Sequence, residues 1–362
     1  MSARSAEIRR VLLVSAVLSC LVVLLCACAG PANTADALNT LRSSSDAGAR
    51  TRAADAIAAS LDATACAQMV ALATGDPSVR PYVEVARVAL ADTLSSDSDP
   101  ARREAAARCL GAMGPSDSWD ELATATQSDE DPIVRMASAG ALAAVAGTDA
   151  IEPLRDSLVD ETEERVLQGK ADLVAALPGA FDAVLAKIAD FSLDTSQQVR
   201  VARVARSAGA AWVAKLCKKL GGADSAAASV MLAEIGKPAV NPLIKLLKST
   251  NSSVRFAAAS ALVRIERDVP GTVDKLTGAL KSKSLKVIAD NYAFFIKLGR
   301  KGSEKVLRAA LLKYGDKAMA LDYLNCGNDA LDAAAHVWAS RHGYYVYSTP
   351  GFHSGPSWGQ GV

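Results

Sequence analysis

The stretch DPIVRMASAGALAAVAG, Asp131 to Gly147, is one copy of a phrase that recurs along the chain. Related copies read DPARREAAARCLGAMG from Asp99, DAGARTRAADAIAAS from Asp46 and NSSVRFAAASALVRI from Asn251. A segment repeated in this way packs against copies of itself, so the 362 residues are expected to grow as a stacked array rather than around closed cores. Aligned, the copies give D-P-x-V-R-x-x-A-A-x-A-L-x-x-I-G, and each letter has a physical use. An Asp at a helix start accepts hydrogen bonds from backbone amides that have no partner in the first turn, and Pro100 and Pro132 fit a turn where that bond is missing anyway. Small residues such as Ala105, Ala106, Ser138, Ala139, Ala258 and Ala259 let a neighbouring backbone approach, while Leu110, Leu142 and Leu262 supply apolar bulk. Gly114, Gly147 and Gly236 end these helices. In KPAVNPLIKLLK, from Lys237, a second helix carries Val240, Leu243, Ile244, Leu246 and Leu247 on its buried stripe.

The bulk composition agrees with closely packed helices: 50% of the residues are apolar but only 5% aromatic. Further, degenerate copies begin at Asp76, Glu161, Gln197, Ser225 and Lys283, and the step from Asp76 to Asp99 is only 23 residues.

This helix-turn-helix unit resembles the HEAT repeat, in the short bacterial variant also seen in phycobilin-lyase-like repeats. The resemblance is strongest at Arg103, Arg135, Arg200 and Arg255, and Arg50 stands in the same place in the copy from Asp46. It implies an all-α, right-handed α-solenoid of about nine helix pairs over residues 34–320. It also implies that these five arginines form a structural ladder, commonly by pairing with an Asp of the next unit. Over residues 321–348, NCGNDALDAAAHVWASRHGYYVYS leaves the period. Asn328 is a helix cap there, Leu331, Ala334, Ala335 and Trp338 share a face, and Gly343 stops the helix, so this part reads as a C-terminal cap covering the last unit. The Gly, Pro and Ser content of residues 349–362 reads as a flexible tail.

The first residues form a separate unit. Arg9 and Arg10 precede an uncharged apolar run from Val11 to Gly30, which reads as an export signal. Its end, Leu25-Cys26-Ala27-Cys28, resembles the bacterial lipobox. That resemblance implies cleavage after residue 27, lipid on Cys28, a short tether over 28–33 and a bacterial lipoprotein held outside the cytoplasm. With Ala29 in second place, it implies the outer membrane in a Gram-negative cell and the outer face of the plasma membrane otherwise. The run is also long enough to span a bilayer, so an uncleaved anchor stays open. Beyond Cys28, the cysteines Cys66, Cys109, Cys217 and Cys326 have no CxxC spacing and read as singletons. Cys109 stands where other copies have a small residue, which favours a buried thiol over a disulfide.

Catalytic chemistry is sparse. GPSWG, Gly355 to Gly359, matches the nucleophile-elbow pattern around Ser357 but lacks the strand before it and the helix after it. His336 and His342 are six apart, off a common helical face, so no metal site is expected. No phosphate, dinucleotide or zinc-protease fingerprint occurs, and no cofactor or nucleic-acid partner is expected. Charge is segregated: residues 28–214 hold 16 Lys and Arg against 27 Asp and Glu, a net of −11, and residues 215–317 hold 20 against 8, a net of +12. Lys281, Lys283 and Lys286 at one turn, with Arg300 and Lys301 at another, are candidate contacts for an anionic partner. The expected function is a non-enzymatic protein-interaction scaffold, tethered to the membrane by its lipid. An accessory or lyase-like enzyme and a structural envelope component contacting anionic surfaces are the alternatives.

Overall fold

A computed structural model describes residues 34–116, 119–190, 192–346 and 358–359. The apolar run, the boundary between 27 and 28, Cys28, His353 and Ser357 lie outside the described residues. Every regular element among the described residues is helical, with twenty-one α-helices and no strand. The chain is an α-solenoid of stacked helix pairs, divided into two compact units between Ala146 and Gly147.

The first unit runs α1 (Thr34–Ser43), α2 (Ala47–Ser60), α3 (Ala63–Gly75), α4 (Arg80–Ser96), α5 (Pro100–Ala112), α6 (Asp120–Ser128) and α7 (Pro132–Ala146). The repeated phrase starts helices because its first residue caps them. Asp46 accepts from the Gly48 and Ala49 N–H groups at 3.0 and 3.2 Å, Asp99 from Ala101 at 2.9 Å, and Asp131 from Ile133 at 2.7 Å. The helices then form two layers: α1, α3, α5 and α7 pack in succession on one side, α2, α4 and α6 on the other. This explains the short step after Asp76. The phrases from Asp46 and Asp76 open α2 and α4 in one layer, whereas those from Asp99 and Asp131 open α5 and α7 in the other. The 23-residue step is where the phrase changes layers. Gly111 shows how closely α5 and α7 approach: a Cβ there would stand 3.0 Å from both Cα and Cβ of Ala141. Ala106, Ala107, Ala139 and Leu142 are fully enclosed in the same contact region.

The second unit opens with α8 (Ile151–Asp156), α9 (Glu164–Ala176), α10 (Ala180–Ile188), α11 (Thr195–Ala208), α12 (Ala210–Lys219), α13 (Ser225–Ile235), α14 (Lys237–Leu246) and α15 (Ser252–Asp268). It continues with α16 (Asp274–Lys281), α17 (Leu285–Asp290), α18 (Tyr292–Leu298), α19 (Glu304–Tyr314), α20 (Lys317–Leu324) and α21 (Asp329–Arg341). Here α9, α11, α13, α15 and α18 pack in succession, with α8 on α10 and α12 on α14 as the second layer. Asp194 closes a full capping box with Gln197 at the start of α11. On α14, Val240, Leu243 and Leu247 are buried while Ile244 and Leu246 are half-buried at the stripe's edge.

At the C-terminal end, Asn328 caps α21 by accepting from the Leu331 N–H at 3.1 Å, and Leu331, Ala334, Ala335 and Trp338 are buried against α19 and α20. A boundary at 320/321 falls inside α20, so the segment that breaks the period begins with α21. Within residues 349–362 the structure describes Trp358 and Gly359, and both are docked. The Trp358 N–H donates to the Cys326 carbonyl at 2.7 Å and the Gly359 N–H to Ile296 at 3.0 Å. Gly299, at φ +55°, permits this docking, because a Cβ there would collide with the Gly359 backbone at 2.2 Å.

Candidate functional site

The five ladder arginines all engage neighbouring turns, but by different means. Arg103, four residues past the Asp99 cap, donates from Nε and Nη2 to the two carboxylate oxygens of Asp129, each at 2.9 Å, and from Nη1 to the Asp97 carbonyl at 3.0 Å. It ties α5 to the turn between α6 and α7. Burial alone would raise the Asp129 carboxyl, but the hydrogen bonds from Arg103 and from the Asp131 N–H outweigh it and hold the group below its ordinary value. Arg135 repeats the backbone half of this arrangement, donating to the Asp129 and Glu130 carbonyls at 2.9 and 3.2 Å. Arg50 donates to the Ser78 hydroxyl at 2.8 Å and lies over the Tyr82 ring. Arg200 donates to the Val159 carbonyl, which precedes it in the chain, at 2.6 Å.

Arg255 sits at the centre of the most enclosed polar cluster in this set. Its Nη1 donates to the Ser249 and Thr250 carbonyls at 2.8 and 3.1 Å, and its Nη2 donates to Asp322 on α20 at 2.6 Å. Asp322 also accepts from the Tyr292 hydroxyl at 2.5 Å and from Ser252 at 3.2 Å, so α15, α18 and α20 are joined through one carboxylate. Arg255 is 4% and Asp322 9% exposed. Burial, and after it the Asp322 charge, push the Tyr292 hydroxyl well above the ordinary tyrosine value, so Tyr292 stays a donor. Among the five arginines, a next-turn carboxylate partner is shown for Arg103. For Arg255 the acid is Asp322, 67 residues on.

Sequence reasoning missed four further charges withdrawn from solvent: Arg87, Lys170 and Glu161 are buried, and the Glu234 side chain is 8% exposed. Arg87 donates to the Met113 carbonyl at 3.0 Å and so closes the C-terminal end of α5. Lys170, fully enclosed, donates to Glu161 at 2.8 Å, while Glu161 also accepts from the Thr162 and Glu163 N–H groups at the start of α9. Glu234 pairs with Arg206 at 2.9 Å and Arg203 at 3.5 Å, yet burial holds its carboxyl above the usual range. The only sequence signal for these is a charge standing at an apolar phase of its helix, such as Arg87 between Val83, Ala86 and Leu90.

The candidate anion contacts divide between the two ends of the α17–α18 segment. Lys281 and Lys283 are exposed at the turn into α17, with Lys283 in the left-handed region at φ 51°. Lys286 is partly neutralised by an ion pair with Asp290, which Lys248 also approaches at 3.6 Å. Arg300 and Lys301 are exposed in the turn between α18 and α19. The fold adds cations that composition counted but did not place: α12 and α14 lie side by side and expose Lys215, Lys218 and Lys245, with Lys248 exposed in the turn after α14.

Two open grooves bear on catalysis. One, of about 400 Å³, is lined by Val70, Ala73, Arg80, Pro81 and Glu84, among others. The other, of about 370 Å³, is lined by Asp172, Ser207 and Trp212, among others. Their polar groups are engaged locally: Glu84 pairs with Arg87 at 3.4 Å, and Asp172 accepts from Ser207 and Gln168 at 2.6 and 2.8 Å. His336 lies 3.7 Å from Asp332, whereas His342 stacks on Trp338, so the two imidazoles do not converge. No group of three or more His, Cys, Asp or Glu among the described residues is placed to hold a metal ion. No helix among them is long and apolar enough to cross a membrane.

A family model described as HEAT repeats matches residues 87–172 and 214–292. The chain therefore carries HEAT repeats in two regions of an all-helical solenoid, repeats of a kind that generally mediates protein–protein interaction. No curated protein matches the chain.

Proposed function

We propose that this chain is a non-enzymatic scaffold that binds a protein partner, held at the outer face of a bacterial membrane by lipid on Cys28. The observation that carries the scaffold reading is the exposed cationic surface of the second unit. Lys281, Lys283, Arg300 and Lys301 make no ion pair among the described residues, although the repeats around them pair their buried charges. Unpaired surface cations on a HEAT array suit an acidic partner surface, each exposed charge adding little alone but steering encounter together. One groove places the Ser207 hydroxyl on the Asp172 carboxylate at 2.6 Å, but neither lining holds a His or Cys to act with such a pair, which supports this reading over an accessory or lyase-like enzyme.

The same cations support a second reading, in which the array lies against an anionic envelope surface. The two turns stand at opposite ends of the α17–α18 segment, which suits an extended surface better than a compact anion pocket. Full-length protein purified in detergent separates these readings. It is compared with the variant carrying Lys281→Gln, Lys283→Gln, Arg300→Gln and Lys301→Gln on phosphatidylglycerol vesicles and on immobilised acidic protein. The scaffold reading expects salt-sensitive loss on the protein at unchanged helicity, whereas loss on vesicles alone favours the envelope reading. Equal binding of both forms everywhere removes both. Mass analysis of the mature N-terminus in the same preparation expects a lipid-modified Cys28, and an intact Met1 excludes the lipid tether.

A further inference from the structure

Cys66 on α3 and Cys109 on α5 were expected as isolated thiols, but these two helices pack directly on one another and bring them together. The two thiols interact with one another in that interface, and both side chains are fully enclosed. The surroundings are small: Ala65, Ala106 and Ala107 are all buried in the same two helices, which keeps the backbones close. We propose that Cys66 and Cys109 are a disulfide-forming pair, and that oxidation ties α3 to α5 by a bond between their sulfurs. The structure shows the dithiol form. Closing the bond brings the sulfurs to about 2.05 Å. Cys217 and Cys326 have no such neighbouring thiol among the described residues.

One of the two thiols, as its thiolate, attacks one sulfur of a disulfide oxidant, protein or small molecule. The oxidant's S–S bond breaks and one thiolate leaves, taking up the proton that the attacking thiol released. The second cysteine then gives up its proton and attacks the sulfur of the first, expelling the second thiol. Two electrons and two protons pass from the pair to the oxidant, which ends as two thiols. Because both sulfurs are enclosed, the exchange takes place while the first unit is open, during folding or local opening, and the finished bond is then shielded. Such oxidants belong to extracytoplasmic compartments, but the pairing itself does not rest on that placement.

The test uses the full-length chain, refolded from denaturant in a glutathione and glutathione-disulfide buffer, alkylated and digested. A linked peptide pair containing Cys66 and Cys109 is expected, two hydrogens lighter than the separate peptides, with Cys217 and Cys326 alkylated. The oxidised chain is expected to melt several degrees above the dithiothreitol-reduced chain, a difference absent from Cys66→Ala and from Cys109→Ala. Recovery of both cysteines alkylated from a folded, helical chain refolded in oxidant overturns the proposal, as does a bond from either to another cysteine. Chain isolated directly from cells reports separately on its exposure to oxidant there. If it arrives reduced yet oxidises at this pair in vitro, the pair stands and the chain met no oxidant in the cell while its first unit was open.

Discussion

Ala139→Glu is expected to abolish folding of the first unit, or to lower its melting temperature so far that little of it is folded at 37 °C. Ala139 is fully enclosed on α7, one turn from Leu142 and near the place where Gly111 lets α5 come within van der Waals contact of Ala141. A glutamate there has no room for its side chain and no partner for its charge. Burying an unpaired carboxylate, or neutralising it to avoid that, costs several kcal/mol, roughly 3–5 by analogy with broken buried pairs, before any overpacking is added. That is a large share of the roughly 5–15 kcal/mol by which a domain is stable. Ile133→Glu, six residues earlier on the same helix but 58% exposed, is the control and should change melting little. Equal melting of the two variants would show that α7 does not present Ala139 to the array.

Asp322→Ala should be the most damaging single truncation in the second unit. It removes the carboxylate that satisfies Arg255, Tyr292 and Ser252 at once and leaves the Arg255 charge enclosed with only the Ser249 and Thr250 carbonyls. Removing one partner of a buried pair costs about 3–5 kcal/mol, because the remaining charge keeps its desolvation penalty. Tyr292→Phe, which deletes one donor and leaves the ion pair, should cost only about 1 kcal/mol. Urea denaturation of the two variants checks this ordering. A Tyr292→Phe loss equal to that of Asp322→Ala would move the weight of the cluster from the ion pair to the hydroxyl.

Much of this architecture is readable in the residues. The capping Asp, the Arg four residues on and the run of alanines each act within one or two helices, so Asp99, Arg103 and Ala106 announce the helix they form. What was not readable depends on which helix lies across the interface. The phrase from Asp76 looks like the one from Asp99, yet the two open helices in different layers, because the 23-residue step leaves room for one helix and not a pair. The same limit hid the meeting of Cys66 with Cys109, of Lys170 with Glu161 and of Arg255 with Asp322, whose spacings follow no repeat. The docking of Trp358 and Gly359 was hidden for another reason. It uses backbone N–H groups, which every residue has, and a composition rich in Gly and Ser says nothing of where they donate.

The candidate surface was legible only as a charge count. Composition located twelve excess positive charges between 215 and 317 but could not say which were already paired. The fold withdraws Arg255 into the core, pairs Lys286 with Asp290, and leaves Lys281, Lys283, Arg300 and Lys301 exposed.

Site-specific photo-crosslinking in intact cells decides whether this HEAT array holds a protein partner on its exposed cationic turns. A photoreactive residue is placed in turn at Lys283, at Lys301 and, for comparison, at exposed Val88 in the first unit. Discrete protein adducts are expected from the two basic turns, to the same partner, with the yield falling when the remaining cations of those turns are replaced by glutamine. No protein adduct from either basic turn, or the same adducts in the same yield from Val88, would contradict such binding.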